Sequence, residues 1–170
     1  NARDGVYIAH AARNLEARAG ATLGCAGWSQ GGGAAAAVAE LDASDYGELT
    51  LVGTVAMSPG VSKIALEIPS AITGALNNPS APPDSHLVMM LGGIQAANPS
   101  ALKLPEAFTP LGVEILETAW NIQPVHHLND TIARSFRLKG PVLNPKPPNF
   151  DAWKAAVVAG SAANRKPVAP

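Results

Sequence analysis

The stretch from Ala21 to Leu41, ATLGCAGWSQGGGAAAAVAEL, admits few local folds. Thr22 to Trp28 is short and apolar and reads as a strand, and Gln30 to Leu41 is alanine-rich and reads as a helix. Between them stands Gly27-Trp28-Ser29-Gln30-Gly31, a G-x-S-x-G pentapeptide. A serine at a strand-to-helix corner must hold strained backbone angles, and its neighbours must be nearly free of side chain. Gly27 and Gly31, two residues either side of Ser29, are expected to meet that demand, and Gly32 and Gly33 to let the helix start close against the sheet. The helix start adds free N–H groups and a partial positive charge beside the Ser29 hydroxyl.

At ordinary composition such a pentapeptide arises by chance in roughly one chain in twenty of this length, so its context has to decide. Here strand-like residues end at the first glycine and helix formers begin after the last, which is the setting the motif requires. Leu49 to Met57, LTLVGTVAM, then reads as a second strand. It is continuously apolar, as for a parallel strand covered on both faces. Strand, helix and strand make a βαβ unit.

The run GWSQGGGAAAAVAEL followed by LTLVGTVAMSPG resembles the secretory lipase family of α/β-hydrolases. That family has a helix, the elbow strand, G-[HYW]-S-Q-G-G, an alanine-rich helix and a strand of the type LxGxVAxxP. Residues 1–60 follow this order, whereas the rest matches only in character, as the helical cap that the family inserts after that strand. The resemblance implies an α/β fold: a partial α/β-hydrolase core over 1–60, an all-helical cap over 61–164, and the start of a next core strand at 165–170. It implies an ester hydrolase acting on acyl esters or lipids, with Ser29 as nucleophile and the backbone N–H of Gln30 as one oxyanion donor. It implies no metal or cofactor in the chemistry, and a secreted protein.

Composition narrows the other classes. The 170 residues are 47% hydrophobic and 15% charged, with net charge −1. No basic run or basic stripe with aromatics suggests nucleic acid, and the apolar runs are too short for a transmembrane segment. The single cysteine, Cys25, cannot form an intramolecular disulfide and reads as a buried small residue of the elbow strand. The chain begins Asn-Ala-Arg with no signal-peptide pattern, so its start is expected to be a processed end or a truncation.

Asn1 to Gly20 is expected as an amphipathic helix, with Ile8, Ala12, Leu15 and Ala19 on its apolar face, Arg3, Arg13 and Arg18 solvated, and His10 partly exposed. Asp42 to Gly47 reads as a polar loop. After Val61 strand signals disappear. Helices are expected over Ile64–Leu76, Asp84–Ala97, Pro110–Ala119, Pro124–Phe136 and Phe150–Ala159, with Asn77–Pro83 as a breaker and Leu138–Pro148 extended. Gly92-Gly93 invites a bend in the Asp84 helix. Met89 and Met90 on that helix would suit aliphatic substrates, or be ordinary core. Asn164 to Pro170 reads as the approach to a new strand.

A serine nucleophile needs a histidine to take its proton and a carboxylate to orient that histidine. In α/β-hydrolases both follow the serine in the order acid, then histidine, and the family places them beyond the cap. The chain is therefore expected to be the middle of a longer hydrolase, inactive by itself. Within it the candidates are His86, His126 and His127, with Asp84, Glu114 and Glu117 preceding the last two and Asp130 three residues after His127. A histidine–carboxylate pair on a helix is more often a solvated ion pair, and adjacent histidines point about 100° apart and make a poor metal site. Other readings stay open: another α/β-hydrolase activity, such as acyltransferase or peptidase, or a non-catalytic binding protein that retains the elbow.

Overall fold

The computed structural model describes residues 2–15, 18–61, 81–145 and 147–169. Within these the chain is mixed α/β, with a two-stranded parallel sheet, and it divides into two compact units: residues 1–64 with 161–170, and residues 65–160. The helix expected over Ile64–Leu76 lies wholly outside the described residues, as does the first part of the breaker at Asn77–Pro83.

In the first unit, helix α1 (Ala2–Arg13) precedes strand β1 (Thr22–Trp28), helix α2 (Gln30–Ala39), a short helix α3 (Ala43–Tyr46) and strand β2 (Thr50–Met57). The strands pair in parallel from Thr22↔Thr50 to Trp28↔Met57, and the register slips by one residue after Leu23↔Leu51, leaving Val52 as the extra residue. β1 alternates half-buried and exposed along its length. Its half-buried face, with Leu23 and Cys25, joins Leu51 against a small core of Val6, Val38, Tyr46 and Leu49. The Tyr46 hydroxyl donates to the Val38 carbonyl, tying α3 to α2.

Several sequence expectations change here, beginning with the length of α1, which ends at Arg13 rather than at Gly20 and so leaves Leu15 beyond the helix. The buried residue of α1 is Val6, with Ala2 and Ala9 beside it, while Ile8 and Leu15 are 71% and 67% exposed. Spacing alone cannot separate two apolar stripes on one helix, and the chosen stripe is the one with Gly5 in it, which faces Val38 of α2 at ordinary van der Waals distance, 3.5 Å from where a Cβ would be. The arginines of α1 keep to the surface and pair there, Arg3, still 63% exposed, with Asp45 at 2.9 Å and Arg13 with Glu48. The Arg3 hydrogen bond holds the Asp45 carboxyl below its ordinary range. Asp42–Gly47 is not all loop, because Asp42 N–H donates to the Asp45 carboxylate at 3.3 Å and starts α3. Finally, β2 is not covered on both faces: Val52, Val55 and Met57 are about half exposed, and Trp28 opposite Met57 is 71% exposed.

Residues 161–169 return to this unit as bends rather than as a strand. The N–H groups of Asn164 and Arg165 donate to the Glu40 carboxylate at 3.0 Å each, as does that of Ala163, and Val168 N–H donates to the Ala39 carbonyl at 2.8 Å. Of the carbonyls at the C-terminal end of α2, that of Ala39 is thereby satisfied by this segment.

The second unit holds α4 (Ser85–Ala97), α5 (Leu104–Ala107), α6 (Pro110–Ile115) running into a π-helical turn (Leu116–Trp120), α7 (Val125–Lys139) and α8 (Phe150–Ala159). Its core is Val88, Leu91, Leu102, Phe108, Ile115, Leu116, Leu128, Ile132, Val142 and Trp153 with smaller neighbours. Met89 and Met90 are partly buried against it, as core residues are. α4 is continuous from Ser85 through Gly92-Gly93 to Ala97. A Cβ on Gly92 would lie 2.9 Å from the Trp120 ring, so this glycine makes room for the indole that the wide π-helical turn presents. A short bridge pairs Phe108 with Leu143, and the Asn144 amide donates to the carbonyls of Pro105, Glu106 and Phe108 at 2.9–3.2 Å. Those carbonyls end α5, a helix too short to be seen in the sequence pattern.

Candidate functional site

β1 ends at Trp28 and α2 begins at Gln30, so Ser29 alone makes the corner. Its backbone is at φ 56°, ψ −116°, a region that side-chain-bearing residues seldom enter. Such a residue typically costs about 1–3 kcal/mol and persists only where its surroundings over-determine it. Here they do. Ser29 N–H donates to the Met57 carbonyl at 3.0 Å, and its carbonyl accepts from Gly33 N–H at 3.0 Å and from Gly60 N–H at 2.8 Å. The serine is exposed.

The glycines around it are not equivalent. A Cβ on Gly27 would meet the Gly31 carbonyl oxygen at 2.0 Å, and one on Gly32 the Met57 oxygen at 2.6 Å. One on Gly33 would meet the Gly60 oxygen at 2.6 Å. Gly31 has nothing within 4 Å of the place its Cβ would take. The steric role expected of Gly31 therefore falls instead to Gly32 and Gly33, because α2 turns these two positions toward the end of β2 and Gly31 toward solvent. Gln30 is the first residue of α2 and is exposed. Its N–H belongs to the first turn, where helical N–H groups have no carbonyl of their own helix to bond.

The histidines divide by place. His10 packs beside Gly47, and its Nδ1 is 4.0 Å from a Glu48 oxygen. Gly47 and Glu48 precede β2, whereas Ser29 follows β1, so His10 sits at the opposite end of two parallel strands. A seven-residue strand spans roughly 20 Å, which removes His10 as a base for Ser29. In the other unit, His86 Nδ1 is 2.8 Å from Asp84 Oδ1, both exposed, and Asp84 also caps α4 by accepting from His86 N–H. His126 and His127 are exposed on α7. Among the described residues no group of three or more His, Cys, Asp or Glu side chains could hold a metal ion. Burial pushes the Cys25 thiol above its ordinary value, away from thiolate chemistry. No described helix is long and apolar enough to cross a membrane.

The residues that hold Ser29 from the β2 side, Met57 and Gly60, were not found by reading the motif. The only signal was the Pro59-Gly60 pair closing the strand, which reads equally as an ordinary turn. Compared with known protein families, curated proteins and solved structures, the chain has no match.

Proposed function

We propose that this chain carries the nucleophile of a serine ester hydrolase of the α/β-hydrolase type, acting on acyl esters or lipids. The observation that carries the reading is the strained backbone of Ser29, φ 56° and ψ −116°, at an exposed strand-to-helix corner. A turn or capping serine needs no such conformation, and the Ser29 side chain makes no cap bond to α2.

In this reading Ser29 Oγ attacks the ester carbonyl carbon as a histidine takes its proton. The oxyanion forms at the start of α2, where Gln30 N–H donates to it. The alcohol leaves with the proton, and water then hydrolyses the acyl-serine by the same route in reverse. No metal or cofactor enters these steps. The resemblance to secretory lipases supports the ester class over the acyltransferase and peptidase alternatives, which share the elbow.

The test uses the protein as its gene encodes it. A fluorophosphonate is expected to label Ser29, located by mass spectrometry of the tagged peptide, and Ser29→Ala is expected to abolish hydrolysis of an activated aryl ester. Labelling elsewhere with Ser29 untouched would refute the reading.

A further inference from the structure

We propose that the corner after β2, from Met57 to Gly60, is a positioning element for Ser29, and that Gly33 is glycine so that this corner can reach it. The inference rests on the nucleophile reading above. Three observations meet at one point. The Ser29 peptide is bonded on both sides to this corner, N–H to the Met57 carbonyl at 3.0 Å and carbonyl from Gly60 N–H at 2.8 Å. The first turn of α2 is open toward the corner, because a Cβ on Gly32 would lie 2.6 Å from the Met57 oxygen and 3.0 Å from Pro59 Cα, and one on Gly33 would lie 2.6 Å from the Gly60 oxygen. The corner is itself strained, with Ser58 at φ 42°.

The physical consequence is direct. Ser29 holds its angles against a conformational penalty, so bonds to its own N–H and carbonyl fix where its Cα and Cβ sit, and with them the reach of Oγ. The Ser29 carbonyl takes one bond from within α2, from Gly33 N–H, and one from the corner. The α2 bond forms wherever the helix forms. The Gly60 bond requires the corner to stay seated against Gly33. A methyl group at 33 meets backbone atoms rather than a flexible side-chain end, so the corner must move away and Gly60 N–H leaves the Ser29 carbonyl. A misplacement of about 1 Å at a reacting group can cost a hundredfold in rate, and this one leaves the substrate's other contacts alone.

Gly33→Ala tests this in the protein as its gene encodes it, with Gly24→Ala as control, since a Cβ at Gly24 meets nothing within 4 Å. The expected result is a fall of tenfold or more in kcat and in the saturating rate of fluorophosphonate labelling, with KM changed less than twofold; because the clash is with backbone, the melting temperature falls as well, and the rates are compared at a temperature where both variants are folded. Amide hydrogen exchange provides the second readout: Gly60 N–H is slow in the wild type and at least tenfold faster in Gly33→Ala. Equal kcat in the two variants, or a KM rise that accounts for the loss, would overturn the proposal. If Gly33→Ala does not fold, wild-type exchange decides: a protected Gly60 amide supports the seated corner and an unprotected one refutes it. Failure of the nucleophile reading is separate, since it shows as no labelling of Ser29 in the wild type whatever Gly60 does.

Discussion

Ser29 shows how one residue's conformation can specify its neighbours. A side-chain-bearing residue at φ 56° requires the chain to double back so tightly that position 27 faces the carbonyl of position 31 at 2.0 Å from where a Cβ would be. Gly27→Ala is therefore expected to destabilise the first unit by about 3 kcal/mol, the upper end of what overpacking costs when backbone must shift to admit an atom. Gly31→Ala, two residues past the serine, is expected to be neutral or to stabilise by roughly 0.5 kcal/mol, since alanine loses less conformational freedom in a helix. Denaturant midpoints of the two variants check this, and equal shifts would show that the corner is looser than described. Both glycines look alike in the motif. Only the path of α2 distinguishes them, because a pentapeptide pattern carries no information about which backbone passes overhead.

At the level of elements, α1 tests how far periodicity reaches. Val6 is fully buried while Ile8 is 71% exposed. Val6→Ala is expected to cost about 2 kcal/mol, through two lost methyl groups and the cavity they leave, and Ile8→Ala less than about 0.5 kcal/mol. Thermal melts of the two variants give the comparison, and a larger loss at Ile8 would restore the stripe that spacing favoured. The strands and long helices were legible in the sequence because their signals are local: β1 is found where Thr22–Trp28 predicts it, and α4 and α8 lie within one residue of expectation. What could not be read depends on distant partners. Gly92 reads as a place for a bend until Trp120 is placed against it, and Asn144 is an ordinary loop residue until it bonds the end of α5 across more than thirty residues. The candidate site was legible to the same extent: Ser29 and Gln30 from the motif, Met57 and Gly60 only once the strands were paired.

At the scale of the whole chain, the described residues of the first unit cover its sheet on one side only. α1, α2 and α3 pack on the face of Leu23, Cys25 and Leu51, while Trp28, Val55 and Met57 on the strands' other face are exposed. Among the described residues each strand also has one unpaired edge. Parallel sheets are ordinarily buried on both faces, and open apolar edges promote association. Residues 1–170 expressed by themselves are therefore expected to self-associate at micromolar concentration, as read by light scattering. They are also expected to be a poor catalyst. A serine hydroxyl without an adjacent base is a weak nucleophile at neutral pH, and the one described histidine of this unit, His10, stands at the far end of the strands. Loss of any member of a serine triad typically leaves only ~10³–10⁴-fold catalysis over water. The assay is hydrolysis of an activated short-chain aryl ester by residues 1–170, with Ser29→Ala and His127→Ala beside it. The expected outcome is turnover close to that of Ser29→Ala. Brisk turnover lost in both variants would place the base on α7, and a monodisperse sample would mean that the open sheet face is not a site of association.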